Sequence, residues 1–259
     1  MKNIFDLSGK NALVVGGAGG IGQSIAKGLA FYGANVAIAS RKMEHLEKAA
    51  QEIEAETGKS IKLFQVDASD EASILNLTKE VLASMGRLDI LVNSQGLNIK
   101  HPTTEFPMEE WDQVFNVNVK GLMMLSREFA KDMIKNKSGR IINVSSIRGA
   151  RAIRGNMGNT AYCASKGAVN MMTMAMASEF AQHNVTVNAI APTLTETPMM
   201  VKFLENDAEG KARLLSSIPL GRLGLTDDCI GPVIFLASDA GSFFTGQVLY
   251  PDGGQSIIS

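Results

Sequence analysis

The sequence predicts an α/β fold, a doubly wound parallel sheet with helices on both faces, formed by residues 1–259 as one domain. Three observations predict it. Short apolar runs, of the kind that form strands buried on both faces, recur along the chain, each followed by a stretch with helical spacing. A glycine-rich turn joins the first run to its helix. The unusual polar residues fall just after the apolar runs, and ligands of such sheets bind beyond the carboxyl ends of the strands.

In chain order, residues 11–15 (NALVV) read as a buried strand that ends in glycines, and 21–32 as a helix stopped by Gly33. Residues 35–39 are a second strand and 43–56 a charged helix. Strand 61–66 and helix 71–85 follow, then strand 88–92 and a long helix over 111–136. Residues 140–144 are a strand. The stretch from Ala164 to Met176 has good helix formers and no proline, so it reads as helix. A strand over 185–190, a helix over 227–236 and a last strand over 247–250 complete the alternation.

Composition narrows the function. An apolar fraction of 45% and a charged fraction of 20% are ordinary for a soluble globular protein. The net charge of -1 offers no global field for nucleic acid or an anionic membrane. No apolar run approaches a membrane span, and the first residues lack the apolar core of a signal peptide. Two cysteines, Cys163 and Cys229, make no disulfide framework, which fits a cytoplasmic location. His45, His101 and His183 are scattered without ligand spacing, so no metal is expected.

The chain is organised around Tyr162 and Lys166. Four residues apart on a helix, they share a face. A free tyrosine has a pKa of about 10, too high to trade protons well at neutral pH. A neighbouring ammonium favours the phenolate, so Lys166 is expected to bring the Tyr162 pKa down. Such a pair alone is common on helix surfaces, and its meaning depends on the rest of the chain.

The turn Val15-Gly16-Gly17-Ala18-Gly19-Gly20-Ile21-Gly22 supplies context. Glycines permit a tight turn and close backbone approach, and a helix start offers free N–H groups to a pyrophosphate. Gly16, Gly20, Ile21 and Gly22 are therefore candidate dinucleotide contacts. About 20 positions on, an NAD-binding fold usually carries an acidic residue for the ribose 2′-hydroxyl. Here stand Ser40, Arg41 and Lys42, so nothing repels a 2′-phosphate and two cations can hold one. NADP(H) is expected in preference to NAD(H). The competing reading makes Arg41 and Lys42 solvated residues at a helix start.

Together, the glycine turn, Asn118 in Asn-Val-Lys-Gly, Ser146, and Tyr162-x-x-x-Lys166 resemble the short-chain dehydrogenase/reductase family over essentially the whole chain. The resemblance implies a Rossmann-type fold and hydride transfer between nicotinamide C4 and a carbonyl carbon. It implies that Asn118, Ser146, Tyr162 and Lys166 form the catalytic tetrad. Tyr162 would exchange the proton, and Ser146 would hold the substrate oxygen. Lys166 would also reach the nicotinamide ribose, and Asn118 would hold a water linking Lys166 to solvent. By position, Asp67-Ala68, Asn93, Gly96, Pro192 and Thr197 are the implied further cofactor contacts. Ser94, Gln95, Thr193 and Pro251 depart from the family pattern, and the segment 147–161 is about three residues longer than in common members. A homotetramer is implied by resemblance only.

Residues 193–218 resemble the family's substrate lid. Arg148, Arg151 and Arg154, at three-residue spacing after Ser146, suit an anionic substrate such as a sugar acid, while a solvated loop or a subunit contact stays open as their alternative. Lys100 and His101 lie in another loop at the same sheet edge. The start 5–10 (FDLSGK) is most similar to the family's gluconate and polyol dehydrogenases, so the expected substrate is a secondary alcohol or ketone of a sugar acid, ketose or polyol. A 3-oxoacyl-carrier-protein reductase is the alternative. A nucleotide sensor that has lost catalysis is a third reading, and retention of all four tetrad positions argues against it.

Overall fold

The computed structural model describes residues 3–152, 157–196 and 208–257. Seven parallel strands form one sheet in the order β3-β2-β1-β4-β5-β6-β7: β1 Asn11–Val15, β2 Asn35–Ser40, β3 Lys62–Gln65, β4 Ile90–Asn93, β5 Gly139–Val144, β6 Val185–Ile190 and β7 Val248–Leu249. The order reverses between β1 and β4, so their carboxyl ends open a crevice at which ligands bind in such folds. Register brings Val15 beside both Ala39 and Asn93, and Asn93 beside Asn143.

Alternation along each strand divides the core. From β1, Ala12 and Val14 face one side, where they pack with Ile25, Ala26 and Leu29 of α1 (Gly20–Phe31). That layer also holds Leu46 and Ile53 of α2 (Met43–Thr57), and Val233 and Ile234 of α8 (Ile230–Ala237). Leu13 and Val15 face the other side, against α3 (Glu71–Met85), α5 (Leu122–Lys135) and α6 (Thr160–Phe180). Both faces are covered, which is why the strands read as continuous apolar runs.

The helix expected over 111–136 is interrupted. Met108–Phe115 forms α4, Asn116–Gly121 is a π-helical turn, and α5 follows. A π turn is a local widening that 3.6-residue periodicity does not announce, and such turns frequently mark functional positions. A second cause is visible at Gly121, where an added Cβ would lie 2.0 Å from the Ala68 carbonyl oxygen. α6 begins at Thr160, earlier than the apolar pattern indicates, and the Tyr162 end is helical. The last strand is only two residues long. α7 spans Ala208–Ser216.

Candidate active site

The glycine turn is a backbone-only cradle. Gly16 has φ +83, and a Cβ there would lie 2.7 Å from Ser94 and Gln95 backbone atoms. A Cβ on Gly22 would stand 2.2 Å from the Gly16 carbonyl oxygen. Side chains are excluded at both positions, and α1 starts at Gly20 without a side-chain cap. The first N–H groups of that helix are thus left for an anion. Ile21 is half-buried, its side chain packed against the core below the turn.

Beyond the turn, Gly16, Ser40, Arg41, Asp67, Ala68, Gly96 and Val117 line a cavity of ≈ 260 Å³. Arg41 is exposed at its rim, and its backbone carbonyl accepts a bond from Gln65 Nε2 at 2.8 Å. The Asp67 carboxylate accepts from the Ser69 hydroxyl at 2.6 Å and the Ser69 N–H at 2.9 Å. Those bonds, with the nearby Arg41 charge, hold its pKa below the usual carboxylate value. An open pocket, a cation at its mouth and a side-chain-free turn fit an adenine dinucleotide with a 2′-phosphate. The Asn93 side chain is buried between strands, its amide nitrogen donating to Ser126 Oγ at 3.0 Å and Asn143 Oδ1 at 2.9 Å.

The four tetrad positions come from three neighbouring places. Ser146 follows β5 and caps a short 3-10 turn, Ile147–Gly149, by accepting from the Arg148 N–H at 3.2 Å. Tyr162 and Lys166 lie on the first turns of α6, and Asn118 lies in the π turn. The Tyr162 hydroxyl is hydrogen-bonded to Ser146. Lys166 is buried, with Nζ donating to the Val144 carbonyl at 2.8 Å and standing 5.6 Å from the Tyr162 ring centroid. Asn118 is buried as well. Its Oδ1 accepts from the Leu97 N–H at 2.7 Å, while Nδ2 donates to the Leu97 carbonyl at 2.9 Å and Ser165 Oγ at 3.0 Å. Its side chain is thus taken up in fixing the 94–98 loop against α6, which leaves only its backbone for the expected water.

Electrostatically the pair differs from the sequence expectation. Burial raises the Tyr162 pKa, more than the Ser146 hydrogen bond and the Arg148 charge lower it. Burial also lowers the Lys166 pKa to about 8. The ammonium lies beside the aromatic ring and is turned toward Val144, so in this state desolvation outweighs its pull on the phenol.

The remaining predicted residues separate. Pro192 is buried at the end of β6, where its carbonyl accepts from Ile147 N–H at 3.2 Å. Arg148 is half-buried and Arg151 is exposed, whereas Arg154 and Thr197 lie outside the described residues, as do positions 197–207 of the expected lid. Lys100 is exposed, and His101 contacts Glu110 at 2.7 Å and packs edge-on against Phe106. Cys163 and Cys229 are free thiols. Among the described residues, no group of three His, Cys, Asp or Glu side chains gathers at metal-binding distance.

Two features escaped the sequence reading. Ser145 Oγ donates to Asn170 Oδ1 at 2.6 Å, locking β5 to α6 beside the tetrad. Thr193 donates to Gln255 Oε1, and Gln255 Nε2 donates to Ser217 Oγ at 2.8 Å, so three distant stretches meet below α7. Pairs 62 and 38 residues apart leave no local pattern. The glycine-to-Thr193 departure was the one available signal.

Comparison with known proteins is consistent across the chain. The family described as short chain dehydrogenase matches residues 10–208. A 2-dehydro-3-deoxy-D-gluconate 5-dehydrogenase of Pseudoalteromonas atlantica is 41% identical over 255 residues, covering 98% of each chain. A 3-oxoacyl-[acyl-carrier-protein] reductase of Thermotoga maritima is 39% identical over 251 residues, 97% of this chain and 99% of that one. Among solved structures, a gluconate 5-dehydrogenase from Burkholderia cenocepacia, in complex with NADP and tartrate, superposes with a TM-score of 0.92 at 33% identity, covering 99% of this chain and 98% of that one.

Proposed function

The chain belongs to the short-chain dehydrogenase family, and from that premise we propose that it is an NADP(H)-dependent oxidoreductase interconverting a secondary alcohol and a ketone of a sugar acid or related polyol. The observation that carries this reading is the joining of Tyr162, Ser146 and Lys166 at the carboxyl end of β5, beside a glycine cradle that only backbone can line. Relatives and structural neighbours named for gluconate or dehydrodeoxygluconate supply the substrate class.

The bound nicotinamide would supply the hydride in reduction or accept it in oxidation. The chain's residues handle the rest. Gly16, Gly20, Ile21 and Gly22 would receive the pyrophosphate, Ser40 and Arg41 the 2′-phosphate, and Asp67, Ala68 and Gly96 the adenosine half. Ser146 and the Tyr162 hydroxyl would bracket the substrate oxygen. Tyr162, held protonated by its raised pKa, is ready to give its proton as the carbonyl oxygen gains charge. In oxidation the same phenol, once deprotonated, would take the proton of the alcohol. Lys166 has three donors and gives one to Val144, leaving others for a ribose hydroxyl. Asn118 holds Gly96 and Leu97 against this group.

A homotetramer and a cytoplasmic location belong to the same reading. Exposed Met123 on α5 and Met171 and Met174 on α6 support a subunit contact, and two free thiols suit a reducing compartment. Residues 193–218, with Thr197, would close over the substrate.

The test is turnover of 5-ketogluconate against acetoacetyl thioesters, each with NADPH and NADH. Efficient reduction of the sugar acid with NADPH supports the reading. Preference for the thioester would transfer the chain to the acyl-carrier-protein reductases, and a preference for NADH would overturn the cofactor assignment.

A further inference from the structure

The three arginines after Ser146 part in the fold. Arg151 points to solvent, Arg154 lies outside the described residues, and Arg148 is half-buried next to the tetrad. Its backbone N–H is fixed on Ser146 Oγ at 3.2 Å, so its side chain leaves the chain within two residues of the proposed oxyanion contact. It lines a cavity of ≈ 660 Å³ together with Thr103, Thr104, Asn159, Thr160 and Cys163. Among the described residues of that wall Arg148 is the only charged side chain, and the rest are hydroxyl, amide, thiol and apolar groups.

Half-buried cations usually carry a counter-ion. Among the described residues Arg148 has no carboxylate partner. Among the described residues, the titratable groups that act on it are the Tyr162 phenol and the Cys163 thiol. Glu110, a carboxylate of the neighbouring α4, is bonded to His101. Burial accordingly pushes the guanidinium pKa down, although it stays a cation at any working pH. Taking a charge partly out of water without a partner is unfavourable, and an anion that enters restores the balance. The planar fork of arginine suits a carboxylate bidentately, and the hydroxyl and amide groups around it suit a polyhydroxy chain.

We propose that Arg148 is the anion anchor of the substrate cavity, binding the carboxylate of a polyhydroxy acid whose carbonyl is presented to Tyr162 and Ser146. The inference rests on the sugar-acid reading above and sharpens it from a cluster of three arginines to one. It makes the chain an enzyme that separates sugar acids from neutral ketoses through a single charge.

The experiment compares the wild type, Arg148→Gln and Arg148→Lys with NADPH on 5-ketogluconate and on the neutral ketose D-fructose, alongside competitive inhibition by D-gluconate. Losing a charge-assisted contact should lower the acid-to-ketose ratio of kcat/KM by about 10- to 100-fold in Arg148→Gln. The change should appear in KM for the acid, with inhibition by gluconate weakened in parallel and Arg148→Lys intermediate. NADPH affinity, read by quenching of protein fluorescence, serves as a check on folding. A ratio that moves less than about threefold, or a loss of NADPH affinity as large as the rise in KM, overturns the proposal. A fall in oligomer mass of Arg148→Gln with the ratio intact overturns it in favour of a subunit contact. If the wild type itself fails to prefer the acid, the substrate reading fails first and the anchor with it, and that outcome is read in the wild-type arm alone.

Discussion

Lys166 and Tyr162 share one face of α6, yet the lysine donates to the Val144 carbonyl at 2.8 Å and stands 5.6 Å from the tyrosine ring centre. The helix sets the pairing through its four-residue spacing, while β5 supplies the acceptor that turns the ammonium aside. The phenol meanwhile bonds Ser146, two residues beyond Val144 at the same carboxyl end of β5. One strand terminus therefore holds both side chains.

Removing the phenol hydroxyl isolates the chemistry. Tyr162→Phe keeps the ring packing and should lower kcat by roughly 100-fold or more, the usual weight of a general acid. Its NADPH dissociation constant and melting temperature should match the wild type. Unchanged turnover would remove Tyr162 from the proton path.

The buried lysine gives a pH signature. Its native pKa is lowered to about 8 from 10.5. Between those values the unfolded chain binds a proton that the folded chain does not, so stability rises with pH across that window. Below about 8 both states are protonated and the burial penalty is fully present. Relative to Lys166→Met, which lacks the group, the wild type should gain roughly 3 kcal/mol at most between pH 8 and 10.5. Urea midpoints of the cofactor-free proteins at three pH values check this, and parallel curves would refute the shift.

Asn118 is predicted to be structural as well as functional. Asn118→Ala would strip partners from the Leu97 N–H and carbonyl and from Ser165. Each buried polar group left unpaired costs about 1–3 kcal/mol. Chemical denaturation should show a loss of roughly 2–4 kcal/mol, and kcat should fall with it. A variant as stable as the wild type would mean that the 94–98 loop is held by other contacts.

Cofactor choice should reside at the end of β2. Arg41→Ala should weaken NADPH binding by about 10-fold or more while leaving NADH within about threefold, because only the 2′-phosphate uses that charge. Fluorescence titration of both nucleotides measures it. Equal losses for the two would make Arg41 a general anion contact.

The sequence carried the fold well because a parallel sheet covered on both faces writes itself as apolar runs, and β1, α3 and β6 occupy the stretches expected for them. The candidate positions Asn118, Ser146, Tyr162 and Lys166 could be named because each stands in a local motif. What could not be read was burial. Whether Lys166 lowers the Tyr162 pKa depends on solvent exclusion and on a backbone carbonyl of another element, and neither has a letter in the sequence. The same holds for Arg148 and Arg151, identical residues at regular spacing that the fold sends to opposite environments. The π turn was hidden because its one extra residue per hydrogen-bonded ring is confined to Asn116–Gly121, with regular helix on both sides.

The bond from Thr193 to Gln255, continued to Ser217, has a practical corollary. Gln255, near the end of the described chain, ties the stretch just after β6 to the residue that follows α7. Removing Gln255 would disturb Thr193 and Ser217 from a position remote from both in sequence.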